Sequence, residues 1–178
     1  GRSVDTTMGF TPAEGLIMGT RCGDVDAGVL AFLERTDGLT ASQSEELLNK
    51  KSGLLGISGI SNDMRDLLAS DAASARLAID YFVYRAAREI GGLAAVLGGL
   101  DALVFTAGIG EHSAEVRRRI CEATAWLGLQ LDRAANDAHA TCISAPGSKV
   151  SAWMIPTNEE LMIARHTGRL LGLVGAKP

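Results

Sequence analysis

The chain has 178 residues, 47% of them hydrophobic and 21% charged, which supplies apolar material for one filled core and argues against disorder. Its net charge of −4 excludes the broad basic face that counterion release on nucleic acid needs. No apolar run approaches the ~18 residues of a membrane span, the start lacks a leader's charged-then-apolar order, and Cys22, Cys121 and Cys142 follow no metal-type spacing, so a soluble protein of the reducing cytoplasm is expected.

The opening stretch "TTMGFTPAEGLIMGTRCGD", positions 6–24, holds four glycines, one proline and a single arginine. Glycine serves sharp turns and close approaches and proline fixes φ, so the segment is predicted to be a shaped loop presenting Arg21. Helical patterns follow over Gly28–Arg35 and Thr40–Lys51, with Thr40 and Ser42 as caps. "SGLLGISGISNDMRDL" mixes serines and glycines with isolated aliphatics and is predicted to be loop. From Ala72 to Leu97 the positions Ile79, Val83, Ala86, Ile90, Leu93 and Leu97 recur at helical spacing, with Asp71 as N-cap and a kink or close contact at Gly91-Gly92.

"DALVFTAGIGEHSAEVRRRICEATAWLG" reads as a buried strand, a glycine turn and a helix whose inner face is Val116, Ile120, Ala123 and Leu127. Arg117, Arg118 and Arg119 point in different directions on that helix, giving a solvated surface with one stem packed beneath. Trp126 and Trp153 lie beside core patterns and are expected to pack. "CISAPGSKVSAWMIPTNEELMIARHTGRLLG" reads as two strands around a Pro-Gly turn, then a terminal helix from Thr157. With no internal repeat or linker, one α/β domain is the economical organisation.

Chemistry is concentrated in the loops. A strand that ends in Gly-x-Gly and feeds a helix, as in "TAGIGEHS", offers backbone N–H groups and a helix dipole to an anion; a tight turn without ligand has the same sequence, and Ser113 stands where G-x-G-x-x-G would require glycine. In "PTNEEL", Thr157 as N-cap places Glu160 at N3 in a capping box and leaves Glu159 at N2, free to lend an oxygen to a hard cation such as Mg²⁺. Asp63 and Arg65 straddle one residue in "SNDMRDL", suited to a ribose hydroxyl and to a base or phosphate, or simply to a surface ion pair. His112, His139 and His166 form no catalytic spacing, and no G-x-S-x-G occurs.

The order and wording of "SVDTTMGFTPAEGLIMGTRCGD", "GISGISNDMRDL", "VFTAGIGEHSAEVR" and "IPTNEELMIAR" together resemble the acetate kinase family, which includes propionate and butyrate kinases. The resemblance runs from Ser3 to about Arg169 and implies an actin-like, ribonuclease-H-like ATPase fold, of which this chain matches the C-terminal, nucleotide-side half. It implies that Arg21 stabilises the transferring phosphoryl group, that Asp63, Met64 and Arg65 form a nucleoside-contacting loop, and that Gly108, Ile109, Gly110, Glu111 and His112 border the adenosine. Glu159 is then the glutamate associated with Mg²⁺. The implied reaction is reversible phosphoryl transfer from ATP to acetate, giving acetyl phosphate and ADP, in a homodimer that uses neither nucleic acid nor membrane.

The sequence departs from the family pattern at Cys22, where serine is usual, at Ala27, where proline is usual, and at His112, where asparagine is common. A family chain is roughly twice as long, beyond the size of an ordinary single domain, and its N-terminal half carries the acyl pocket and the glycine-rich phosphate loop. The resemblance therefore implies that residues 1–178 form one C-terminal domain that lacks these parts and is inactive alone. The alternatives are a propionate or butyrate kinase, or a catalytically silent nucleotide-binding and dimerisation domain.

Overall fold

The computed structural model describes residues 2–173. In chain order it runs α1 (Ala27–Asp37), α2 (Ala41–Lys50), α3 (Gly53–Ser58), α4 (Met64–Leu68), α5 (Ala73–Leu97), β1 (Ala102–Phe105), α6 (Ala107–His112), α7 (Ala114–Ala123), a 3₁₀ turn (Ala125–Leu127), α8 (Arg133–Asp137), β2 (Ser151–Met154) and α9 (Glu159–Leu170). β1 and β2 pair in parallel, from Ala102 opposite Ser151 to Phe105 opposite Met154. Parallel neighbours require a crossover, and α6 to α8 supply it.

α5 is the axis of the molecule. Its buried Ala75, Ala78, Ile79, Phe82, Val83 and Ala86 meet Leu54 of α3, Met64 and Leu67 of α4, and Val116, Ile120 and Cys121 of α7 in one cluster, which Leu129, Ile143, Val150 and Ala152 continue beneath the strands. The helix is anchored beyond its glycine pair as well as before it, by buried Ala94 and by Ile90 packed on the core. It therefore runs unbroken across Gly91-Gly92, and the close contact is with Trp126, whose Cζ2 lies 3.6 Å from the place a Cβ on Gly91 would take.

Several expectations are corrected. The serine- and glycine-rich stretch after α2 folds into α3 and α4, because its aliphatics Leu54, Met64 and Leu67 reach the face of α5. α5 starts one residue later than predicted, with Ala72 as its N-cap and no side chain capping it. The strand expected near Cys142 is reduced to isolated bridges, Leu131 to Ser144 and Cys142 to Trp153. Trp126 is 70% exposed rather than packed.

The inner face of α7 holds Val116 and Ile120 as predicted, but widens toward Arg117 and Cys121 instead of continuing to Ala123. Arg117, Ile120 and Cys121 are buried while Ala123 is exposed. The three arginines consequently have three fates: Arg117 is fully buried, Arg118 pairs with Glu115 and Glu122 of its own helix, and Arg119 bridges to Asp80 on α5. Thr40 caps α2 as predicted, closing a capping box with Gln43.

Candidate functional site

A cavity of 430 Å³ lies between the start of α4 and α6, lined by Asn62, Asp63, Met64, Arg65 and Leu68 on one side and by Gly108, Ile109, His112 and Ser113 on the other. Two segments more than forty residues apart, each suspected separately from sequence, thus form opposite walls of one site. Asp63 is the N-cap of α4 and accepts the Arg65 N–H at 2.8 Å. It also holds the Arg65 guanidinium, with Nε at 3.0 Å from Oδ1 and Nη2 at 2.5 Å from Oδ2. The Arg65 guanidinium and backbone N–H depress the Asp63 carboxyl to about 2. An exposed pair of this kind adds little stability, so Arg65 can exchange its carboxylate partner for an anion at small cost.

The opposite wall is built more tightly. The predicted glycine turn is itself the short helix α6, entered through Ala107 at φ 56°. The Ala107 N–H donates to Glu111 Oε1 at 2.7 Å, so the N–H expected to greet an external anion is already used by the helix's own carboxylate. Of this turn, Gly108, Ile109 and His112 face the cavity. Buried Arg117 secures the other end of α6, donating from Nη1 to the carbonyls of Gly110 at 2.9 Å and Glu111 at 2.7 Å, and from Nε to Asn136 Oδ1 at 2.9 Å.

Arg21 does not line the cavity, but its loop abuts it. An added Cβ on Gly19 would lie 2.8 Å from the carbonyl oxygen of Asn62, so only glycine permits the loop to lie against the segment that opens α4. The loop is stitched to its surroundings by Leu54 N–H to Met18 O at 3.0 Å, Leu55 N–H to Gly19 O at 2.9 Å and Cys22 N–H to Leu48 O at 3.0 Å. The Arg21 guanidinium has one contact among the described residues, Nη1 to Met18 Sδ at 3.7 Å, and it forms no ion pair there. Burial, with Asp24 as a further contribution, pushes the neighbouring Cys22 thiol up, away from reactive thiolate character.

Glu159 lies at the exposed start of α9, outside the cavity. Asn158 rather than Thr157 caps the helix, accepting from Leu161 N–H at 2.9 Å. Glu159 is therefore N1 and Glu160 N2, and the predicted capping box is absent, because Thr157 is committed elsewhere: its N–H and hydroxyl both donate to Glu111 Oε1. The described residues contain no cluster of three metal-ligating side chains. A single outward carboxylate still fits Mg²⁺, which is commonly held by one or two carboxylates with phosphates and waters completing the octahedron.

A model of the acetokinase family matches residues 1–165. The chain belongs to that family. It is 63% identical over 171 residues to an acetate kinase of Rhodopseudomonas palustris (strain TIE-1), covering 95% of this chain and 43% of the relative. The crystal structure of Porphyromonas gingivalis acetate kinase superposes with a TM-score of 0.86 at 44% identity, covering 93% of this chain and 43% of that one. A propionate kinase from Francisella tularensis superposes with a TM-score of 0.85 at 42% identity, covering 90% of this chain and 42% of that one. This acetokinase-family chain thus spans under half the length of the relatives it matches, with the α/β architecture of one half of the duplicated actin-like fold.

Three residues that fasten these loops and helices were not singled out from sequence for the parts they play. Arg117 was hidden by its two charged neighbours, although Arg117, Ile120, Cys121 and Thr124 follow i, i+3, i+4, i+7 spacing and all four are buried. Asp24 and Arg85, joined by Nη2 to Oδ2 at 2.5 Å, lie 61 residues apart and carry no local signal.

Proposed function

We propose that this chain is the nucleotide-side half of an acetate kinase, a single C-terminal domain that binds Mg·ATP for reversible phosphoryl transfer to acetate, giving acetyl phosphate and ADP. The observation that carries this reading is the meeting of Asp63, Met64 and Arg65 with Gly108, Ile109 and His112 around one cavity. Its apolar floor and paired polar groups suit a purine and ribose better than a phosphate.

Met64, Ile109 and Leu68 supply the face on which a base stacks. Asp63 offers carboxylate oxygens to a ribose hydroxyl, and Arg65 offers a planar cation to the base or an α-phosphate. Gly110 and Glu111 belong to the same wall without lining it. Arg21, held on a stitched loop with no internal counter-charge, is suited to charge that develops on the phosphoryl group as the acetate oxygen attacks in line, with the bidentate geometry that lysine lacks. Mg²⁺, held on the Glu159 side, would neutralise phosphate charge when bound. Positioning and charge neutralisation carry most of such a transfer, so no nucleophilic side chain is required. The likeness to a propionate kinase keeps propionate as the second candidate acid, and butyrate falls in the same acyl class.

A homodimer is part of this proposal, and exposed Leu77 and Tyr84 on α5 offer apolar surface for such pairing. The decisive experiment is calorimetric titration of the 178-residue chain, of verified intact mass, with Mg·ATP, beside an assay for acetyl phosphate and a sedimentation run. Saturable binding without turnover is the expected result. Heat equal to buffer dilution would sink the nucleotide reading, and turnover by the chain alone would sink its description as half a site.

A further inference from the structure

Ala107 is one of two non-glycine residues with positive φ among the described residues, a conformation that costs any residue bearing a Cβ and persists only where its surroundings enforce it. Here the enforcement comes from one atom. Glu111 Oε1 accepts the Ala107 N–H at 2.7 Å, and the same oxygen accepts the Thr157 N–H at 2.8 Å and the Thr157 hydroxyl at 3.0 Å. Thr157 stands 46 residues further along the chain, directly before Asn158, the cap of α9, and two residues before Glu159. Glu111 itself does not line the cavity, whereas its helix neighbours Gly108, Ile109 and His112 do.

We propose that Glu111 is a positioning residue: its single oxygen locks the strained entry of α6 and fastens the opening of α9 to it, so that the cavity wall and Glu159 are set as one unit. The proposal rests on the nucleotide reading above for its functional consequence, which is that nucleotide affinity and the gain in affinity from Mg²⁺ rise or fall together through Glu111. Thr157 first, and Ala107 after it, hold the Glu111 carboxyl below the ordinary carboxylate range, so the tie persists throughout neutral pH.

Glutamine and alanine separate this role from direct contact with the ligand. Glu111→Gln keeps an oxygen that accepts from Ala107 and Thr157 but removes the charge; Glu111→Ala removes both. In the ¹⁵N-labelled 178-residue chain, Glu111→Ala is expected to shift the amide resonances of Ala107 and Thr157 together and to speed their hydrogen exchange, while Glu111→Gln retains most of both. The ratio of ATP affinity with and without Mg²⁺ is expected to fall about tenfold or more in Glu111→Ala, the range for removing a group that orients a metal ligand, and to be largely restored in Glu111→Gln. Thr157→Val supplies an independent route if Glu111→Ala does not fold, since loss of the hydroxyl must then move the Ala107 resonance through the shared Glu111 oxygen.

An unchanged Thr157 amide in Glu111→Ala, or an unchanged Ala107 amide in Thr157→Val, overturns the proposal. So does a Glu111→Gln chain as damaged in Mg·ATP affinity as Glu111→Ala, which would place the charge itself on the ligand. A wild-type chain that binds no nucleotide defeats the nucleotide reading instead, and the two amide resonances then decide the tie by themselves.

Discussion

Arg117 holds a full positive charge at 0% exposure and forms no salt bridge among the described residues. Desolvation lowers its pKa, opposed by Cys121 and Asp137, and it is stabilised by carbonyl oxygens of Gly110, Glu111 and Asn136 and by the Asn136 side chain. Removing it strands those acceptors in the interior. Arg117→Met is expected to cost about 3 kcal/mol, the scale of several buried acceptors left unmade, measured as a drop in the urea midpoint at constant slope. A loss under about 0.5 kcal/mol, the size of an ordinary surface change, would show that the guanidinium is not what ties α6 to α7. At this scale the sequence was partly legible. Arg21, Asp63 and Arg65 stood out because a lone charge among glycines or in a polar turn has few local partners, whereas Arg117 was masked by adjacent charges and its side-chain partner Asn136 lay 19 residues away.

Among the elements, the opening loop owes its place to α5. Arg85, side chain 7% exposed, pairs with Asp24 and with Glu89, and Asp24 Oδ1 accepts the Gly15 N–H at 2.7 Å. This clasp closes residues 15–24, with Arg21 inside. The Gly15 N–H and then Arg85 hold the Asp24 carboxyl below its ordinary value. A group depressed in the folded state adds stability above its unfolded pKa and loses it as pH falls through the folded one. Asp24→Asn is therefore expected to lower stability by about 1–2 kcal/mol at pH 7 and to flatten the decline below pH ~4, where Asp24 of the unfolded wild-type chain takes up a proton before the folded one does. Parallel acid limbs in the two chains would mean that other carboxylates govern that decline.

Helices with strong periodicity or a polar cap, such as α2 and α5, were legible in the sequence. α3 and α4 were not, because each is too short to show a period and exists by virtue of the α5 face it covers. The Thr157 capping box failed for a related reason: Glu111, remote in sequence, claimed the threonine first.

At the scale of the whole molecule, the family and the fold were readable from four short motifs, while the joining of two of them around one cavity was not, since that depends on how α4 and α6 are placed in three dimensions. α9 shows the same limit. Of its 12 residues only Gly168 is buried, so its amphipathic pattern reports a surface that the described residues leave uncovered.

The sheet has a further consequence. β1 pairs with β2 alone, so the other edge of Ala102–Phe105 is without a strand among the described residues, and Val104 on it is 49% exposed. An open apolar edge is a template on which another extended chain can grow. Strand addition, copy onto copy, is then the expected route by which the 178-residue chain leaves solution. Val104→Lys, which places a charge on that edge, is expected to lengthen the lag before thioflavin-positive aggregates form while leaving the thermal midpoint within about 1 °C, the shift of a surface change worth a few tenths of a kcal/mol; an unaltered lag would locate the seed elsewhere.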